Sequence, residues 1–334
     1  MSQGTRRGDR SDLGSPPVSG VERLALAFQR CAEEGRAALI PFCVAGDPDL
    51  ATTVELARAA AEAGADVLEL GVPFSDSLAD GPVIQDAYAR ALAAGTNVRG
   101  VLACASEIVA ATGLPLVLMT ALNPVLSYDV VAFCRDAAAA RAAGVLIPDL
   151  PVEDARHLRA TCARFGLATV FLAAPDSGPT RVAAAARAST GFVYLVRRRG
   201  VTGVGSADEP GDSIVSTRQL ASGPMALGFG IATAGQAAEA ARLGEGVIVG
   251  SALVGVAASA YAAGLAVPAD MAGTWGRVHE TSSDGRLEAR LSAAEAVRRL
   301  TAELAAAVRV ARRAGASGAA PMTLDIPRRT GADA

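Results

Sequence analysis

The feature that most constrains the fold is a regular alternation of short apolar runs with amphipathic, alanine-rich segments. Apolar runs without polar alternation are typical of parallel strands that are buried on both faces. Eight such runs separated by helices predict an α/β protein, a (β/α)8 TIM barrel, more closely than a doubly wound sheet. The predicted strands are Ala38–Cys43, Val67–Gly71, Leu116–Met119, Gly144–Ile147, Ala168–Leu172, Phe192–Val196, Met225–Gly228 and Gly246–Val249.

The segments around these strands have helical periodicity, and several end in a glycine before the next strand, as in A-E-A-G-A-D-V. One of them precedes the first strand and is an extra N-terminal helix. The predicted helices are Val21–Gly35, Leu50–Gly64, Pro82–Ala94, Tyr128–Ala143, Val152–Phe165, Thr180–Ser189, Ser213–Ser222, Ala234–Leu243 and Ser292–Arg313.

The chain is predicted to form a single domain, the barrel, over residues 21–313. Residues 1–20 carry arginines but no apolar core, so they predict a flexible leader rather than a signal or a membrane span. Residues 262–290, with the single tryptophan Trp275, predict an insertion before the final helix. Residues 314–334 are rich in small residues, Pro and Arg, and predict a disordered tail.

The composition excludes several classes of function. The chain has no Lys, so neither a Schiff-base lysine nor a P-loop lysine is available. A net charge of −3 without a basic face argues against a nucleic-acid partner, and no segment predicts membrane association. Five scattered cysteines without a C-x-x-C pair, and two histidines, favour a reducing cytoplasm and no metal site.

The acidic segment from Asp66 to Gln85 is the strongest candidate for chemistry. Glu69 lies inside an apolar run, where a carboxylate is costly unless it has a function. Asp80 follows in a loop at the C-terminal end of the same strand, where TIM barrels build their active sites. We predict that Glu69 and Asp80 converge as catalytic carboxylates, whereas Asp66 and Asp76 are interpreted as helix caps or surface charges.

Three glycine-bearing turns come after the last three predicted strands: Gly200–Gly203, Gly228–Ile231 and Val249–Ala252. Turns after strands seven and eight of a barrel bind phosphate through backbone N–H groups. Together the turns predict a substrate that carries a phosphate.

Four residues near strand ends could line the space beside the carboxylates: Phe42, Met119, Phe192 and Tyr194. An alternative interpretation, equally weighted, is that they fill the barrel core. An aromatic, apolar pocket with two carboxylates and a phosphate site predicts a flat aromatic substrate with a phosphorylated tail.

These motifs resemble the α chain of tryptophan synthase. The run L-E-L-G-V-P-F-S-D-S-L-A-D-G-P is similar to that family's signature, and P-F-C-V-A-G-D-P-D, L-N-P-V-L, P-D-L-P-V-E-D, R-R-G-V-T-G, G-F-G-I and V-G-S-A-L-V follow in the family's order. The similarity covers about Leu24 to Leu253 and the final helix.

The resemblance implies retro-aldol cleavage of indole-3-glycerol phosphate into indole and glyceraldehyde 3-phosphate. By it, Glu69 matches the general acid/base that protonates the indole C3, and Asp80 matches the group that stabilises charge at the indole N–H. The positions that match phosphate donors are Gly203, Gly230, Gly250 and Ser251; those that match the closing loop are Thr202 and Arg198. No cofactor is implied, because pyridoxal phosphate would belong to a β chain.

Several positions depart from the family's pattern. Val44 replaces a usual Thr, Ala121 a pocket Tyr, and Phe192 another common Tyr, which predicts a wider and less polar indole pocket. Ser77 replaces a Pro of the loop that contacts the β chain in the family, and Arg197 replaces a small residue, usually Ser, near the closing loop. A β chain partner in an α2β2 assembly is implied, but Ser77 and Arg197 leave the coupling open. The positions that still match the family's interface pattern are Asp76, Asn123, Asp149 and Pro151.

Two alternatives remain open beside the α-subunit lyase. One is a stand-alone lyase of specialised metabolism that acts on the same or a substituted indole substrate. The other is a weakly catalytic α-like chain that binds and activates a β subunit. A phosphate-binding barrel isomerase is the most distant possibility, because it would share the glycine turns but not the Glu69 and Asp80 segment.

Overall fold

The computed structural model describes residues 18–77, 80–174, 178–196, 218, 220, 223–228, 230–265 and 282–311. Within them, eight strands close into a parallel barrel in which each strand pairs with the next and the last pairs with the first. The strands are β1 (Ala38–Val44), β2 (Leu68–Gly71), β3 (Leu116–Met119), β4 (Gly144–Leu146), β5 (Ala168–Ala173), β6 (Val193–Val196), β7 (Met225–Gly228) and β8 (Gly246–Val249). The predicted TIM barrel is confirmed, and every predicted strand boundary lies within one residue of the observed one.

Helices pack around this barrel and bury its outer face. They are α1 (Gly20–Glu33), α2 (Leu50–Glu62), α3 (Pro82–Ala93), α4 (Val98–Thr112), α5 (Leu122–Tyr128), α6 (Val130–Ala139), α7 (Arg156–Arg164), α8 (Gly178–Ala188), α9 (Ala234–Leu243), α10 (Ser251–Gly264) and α11 (Ser283–Val310). A short 3-10 helix, Val152–Asp154, precedes α7. Within the described ranges, no helix is both long and apolar enough to cross a membrane.

The helix starts follow local sequence signals. Ser19 and Glu22 form a capping box at α1, and Thr233 and Gln236 form another at α9. Asn97 caps α4 by accepting a 3.1 Å hydrogen bond from the Gly100 amide. Such caps satisfy amides that have no partner inside the helix, so they fix where each helix begins.

Helix α1 covers the N-terminal end of the barrel. Its Leu24 and Phe28 are buried with Ala168 and Phe192 in one cluster that fills the lower barrel. The rings of Phe28 and Phe192 have centroids 5.6 Å apart. The opposite end, at the C-terminal ends of the strands, is therefore the open end, and we call it the barrel mouth.

A buried ion pair closes the same N-terminal end. Asp66, which precedes β2, accepts hydrogen bonds of 2.6 and 2.9 Å from the Arg36 guanidinium and 3.0 Å from the Leu39 amide. Asp66 is 2% exposed, so the interpretation of this residue as a helix cap or surface charge is wrong. Asp76, by contrast, is exposed.

Three of the helices in the described ranges were not predicted. α4 and α5 are additional to the simple strand–helix repeat, and α10 occupies the segment directly after β8. The predicted helix Tyr128–Ala143 is shorter in the structure, where a positive φ of 79° at Asp129 separates α5 from α6. The predicted helix Ser213–Ser222 lies mostly outside the described residues.

The segment at 262–290 is helical at both ends. α10 continues to Gly264 and α11 begins at Ser283, nine residues before the predicted start at Ser292. A β-carbon at Gly264 would lie 2.6 Å from Cα of Ala289, so glycine allows these two helices to approach closely. Residues 266–281 lie outside the described ranges, as do residues 1–17 and 312–334.

Candidate active site

Glu69 lies in the middle of β2 and is buried inside the barrel. It is 1% exposed, and in register it pairs with Phe42 of β1. Its Oε1 atom is enclosed and has no hydrogen-bond partner among the described residues. Burial raises the pKa of Glu69 to about 8, with a further contribution from the charge of Asp80. A carboxyl group of this kind holds a proton near neutral pH and can transfer it.

Asp80 lies in the loop between β2 and α3, at the barrel mouth. The loop is held locally: the Asp80 amide donates to the Ser77 carbonyl at 3.1 Å, and Gln85 Nε2 donates to the Asp80 carbonyl at 2.9 Å. Gly81 then begins α3, with Pro82 in its first turn. Burial raises the pKa of Asp80 to about 6, so Asp80 ionises at a lower pH than Glu69.

Two tyrosines lie within the electrostatic influence of both carboxylates. Tyr194 of β6 and Tyr88 of α3 are 8% and 4% exposed. Burial raises the pKa of each phenol, and the charges of Glu69 and Asp80 raise it further. The mouth therefore brings together two carboxyl groups of different acidity and two neutral phenols.

Tyr88 was missed in the sequence analysis. It lies on an amphipathic helix, where an apolar face normally predicts core packing. The available signal was its position eight residues after Asp80, on the helix that the Asp80 loop leads into.

The predicted pocket residues separate into two groups. Phe42, Val44 and Met119 lie together at the upper part of the barrel, in a cluster that also contains Tyr88 and Val254. Ala121 is half-buried just after β3, at the N-cap of α5.

Phe192 differs from the others, because it precedes β6 and packs against Phe28 at the N-terminal end of the barrel. It fills the barrel core there, and we leave it out of the proposed pocket. The reason is geometric, because residues at the start of a barrel strand lie at the N-terminal end of the barrel, which α1 covers. An aromatic side chain at that position packs in the core.

Of the predicted phosphate turns, the structure describes Val249–Ala252 in full and Gly228–Ile231 apart from residue 229. Gly250 is the N-cap of α10 and Ser251 is its exposed first residue. Gly230 is exposed after β7 and has a φ of 71°, a backbone conformation that favours glycine. α10 begins directly after the C-terminal end of β8, and the free amides at the start of a helix favour an anion. Gly203, Thr202 and Arg198 lie outside the described residues.

No cluster of three or more His, Cys, Asp or Glu side chains that could hold a metal ion is found in the part of the chain that the structure describes.

Comparison with known proteins agrees with this geometry. Residues 28–268 match the family model described as tryptophan synthase alpha chain. The chain is 44% identical to the tryptophan synthase alpha chain of Synechococcus sp. (strain CC9902) over 251 residues, covering 74% of this chain and 93% of that protein. It is also 44% identical to the tryptophan synthase alpha chain of Citrifermentans bemidjiense over 236 residues, covering 70% of this chain and 88% of that protein.

Solved structures give the same result. A structure of Mycobacterium tuberculosis tryptophan synthase matches with a TM-score of 0.70 and 38% identity, over 86% of this chain and 98% of that one. Tryptophan synthase subunit alpha from Legionella pneumophila matches with a TM-score of 0.71 and 29% identity, over 86% and 98%. The chain belongs to the tryptophan synthase alpha chain family.

Proposed function

We propose that Glu69 and Asp80 carry out the family's reaction, the cleavage of indole-3-glycerol phosphate to indole and glyceraldehyde 3-phosphate. The observation that carries this assignment is the enclosed, unpaired Oε1 of Glu69, whose pKa is raised to about 8 by burial and by Asp80. A carboxyl group with no structural partner in a barrel interior is costly to the fold, and proton transfer gives it a function.

The two carboxyl groups have separate tasks in the proposed mechanism. Protonated Glu69 donates its proton to C3 of the indole, while ionised Asp80 accepts a hydrogen bond from the indole N–H and stabilises the positive charge on the ring. The bond between C3 and the side chain then breaks, and its electron pair returns to the ring. The adjacent side-chain hydroxyl becomes the aldehyde, and Glu69 takes up its proton.

Phosphate binding is assigned to the turns at the mouth. Gly230, Gly250 and Ser251 would present backbone amides to the phosphate, supported by the start of α10. Gly203 would add a further donor, with Thr202 and Arg198 closing over Asp80. The indole ring would lie among Phe42, Val44, Met119, Ala121 and Tyr194.

We further propose assembly with a tryptophan synthase β chain. Asp76, Asn123, Asp149 and Pro151, which match the family's interface pattern, are all exposed. Leu126, three residues after Asn123 on α5, is 55% exposed, as expected for a partner-binding face. The α chain reaction itself uses no cofactor, and pyridoxal phosphate would belong to the β chain. Ser77, the residue after Asp76, is half-buried.

A cytoplasmic location is supported by the cysteines. All five are free, and Cys134 and Cys162 keep their sulfur atoms 3.8 Å apart without a bond, which fits a reducing compartment.

The test is indole release from indole-3-glycerol phosphate by the purified chain, measured alone and with a tryptophan synthase β chain. We expect release by the isolated chain and a faster rate in the complex. Activity that does not change on adding the β chain would favour a stand-alone lyase. No release in either state would contradict the proposed function.

A further inference from the structure

Tyr88 brings a polar atom into the apolar upper barrel. Its ring packs in the cluster with Phe42, Val44 and Val254. A β-carbon added at Gly71 would lie 3.1 Å from Tyr88 Oη and 2.6 Å from Phe42 Cζ. The hydroxyl therefore occupies space that the absence of a side chain at Gly71 leaves open.

This position lies directly above Glu69. Gly71 follows Glu69 by two residues on β2, so the two residues face the same side of the strand. In register, Gly71 pairs with Val44 on β1 and Met119 on β3, neither of which has a hydroxyl. Tyr88 thus supplies a hydroxyl to this layer from a surrounding helix rather than from a strand.

The surroundings keep this phenol protonated. Burial raises its pKa, and the charges of Asp80 and Glu69 raise it further. Among the described residues, none accepts a hydrogen bond from the hydroxyl. A neutral donor without a protein partner, placed beside two carboxyl groups, is suited to hydrogen-bond a ligand.

We propose that Tyr88 is a further substrate-binding residue, whose hydroxyl donates a hydrogen bond to a side-chain hydroxyl of the indole-3-glycerol phosphate. This inference rests on the proposed function. In that reaction the hydroxyls of the substrate's glycerol chain lie next to the carbon–carbon bond that breaks. That bond must lie within reach of Glu69. Tyr88 would then hold the substrate's glycerol chain between Glu69 and the phosphate turns.

The experiment compares wild type, Tyr88→Phe and a matched control, Tyr261→Phe. Tyr261 is 1% exposed in α10 and packs among the outer helices, so its substitution reports the general effect of removing a buried phenol hydroxyl. Two quantities are measured: kcat/KM for indole-3-glycerol phosphate, and Kd for indole-3-propyl phosphate. The second compound keeps the ring and the phosphate but has no side-chain hydroxyl.

We expect Tyr88→Phe to lower kcat/KM by roughly threefold to tenfold, the effect of one neutral hydrogen bond. Its Kd for indole-3-propyl phosphate should equal that of wild type, and Tyr261→Phe should change neither quantity. Full kcat/KM in Tyr88→Phe would overturn the inference. A loss of affinity for indole-3-propyl phosphate as large as the loss of kcat/KM would also overturn it, because it indicates altered packing. If wild type releases no indole, the proposed function fails rather than this inference.

Discussion

Arg90 of α3 donates two hydrogen bonds, each 2.7 Å long, to the two carboxylate oxygens of Asp47 in the loop after β1. Both side chains are largely buried, with exposures of 13% and 8%. This pair fixes α3 against β1, and α3 carries Tyr88 and follows directly from the Asp80 loop. The geometry of the mouth thus depends on an ion pair outside it.

Replacing Arg90 with Met should therefore lower both stability and activity. Leaving Asp47 buried without its partner costs about 3 kcal/mol of unfolding free energy, measured by urea denaturation. Arg58→Met is the control, since Arg58 is exposed and lies 3.9 Å from Glu55, and it should change little. Equal stabilities of the two variants would contradict the anchoring role.

The Arg36–Asp66 pair gives a prediction about acid stability. Burial alone would raise the pKa of Asp66, but the hydrogen bonds from Arg36 and Leu39 hold it below its ordinary value. Because the pKa of Asp66 is lower in the native state, ionised Asp66 stabilises the fold fully above pH ~4, its pKa in the unfolded chain. This contribution to stability is lost as the pH falls below that value.

Asp66→Asn should accordingly cost about 3 kcal/mol at neutral pH, because the buried Arg36 guanidinium loses its buried carboxylate partner and keeps only the half-exposed carboxylate of Glu34. The difference from wild type should shrink below pH ~4, as Asp66 of wild type becomes protonated. Glu62→Gln, which removes an exposed partner of Arg298, serves as the control and should have little effect. A constant difference at all pH values would count against this ion pair.

Gly71→Ala tests the crowding above Glu69. The added methyl group would lie 2.6 Å from Phe42 Cζ, so the ring of Phe42 and the hydroxyl of Tyr88 must move. We expect at least a roughly tenfold loss of kcat/KM for indole release, because a small displacement of positioning groups is costly in catalysis. Gly235→Ala, where an added β-carbon meets nothing within 4 Å, should keep full activity. Wild-type activity in Gly71→Ala would mean that this layer does not contact the substrate.

Glu69→Gln should stabilise the fold. The pKa of Glu69 is raised to about 8 in the native state, whereas the unfolded chain releases this proton above pH ~4.5. The free energy of unfolding of wild type therefore falls as the pH rises from ~4.5 to about 8. Glutamine has a similar shape and no proton to lose, so Glu69→Gln should have a free energy of unfolding higher than that of wild type by on the order of 3 kcal/mol at pH 7. Thermal unfolding at several pH values measures it; a variant less stable than wild type at pH 7 would indicate that Glu69 has a structural partner.

Much of the fold could be predicted from the sequence, because buried parallel strands leave apolar runs that local composition reveals. The burial of Glu69 could also be predicted, because its carboxyl group lies inside such an apolar run. Asp66 could not be assigned correctly, since Arg36 becomes its partner only when β1 and β2 lie side by side. Tyr88 was missed because helical periodicity predicts a buried face but not what that face is buried against. Phe192 shows the converse: its residue type suited a pocket, and its position at the closed end of the barrel places it in the core.

The most direct test of the account is the rate of indole release from indole-3-glycerol phosphate by wild type and Glu69→Gln across pH. Cleavage needs Asp80 ionised and Glu69 protonated, so wild-type kcat/KM should rise near pH 6 and fall near pH 8. Glu69→Gln cannot transfer the proton and should release no indole above background at any pH. Turnover by Glu69→Gln at the wild-type rate would remove Glu69 from the mechanism.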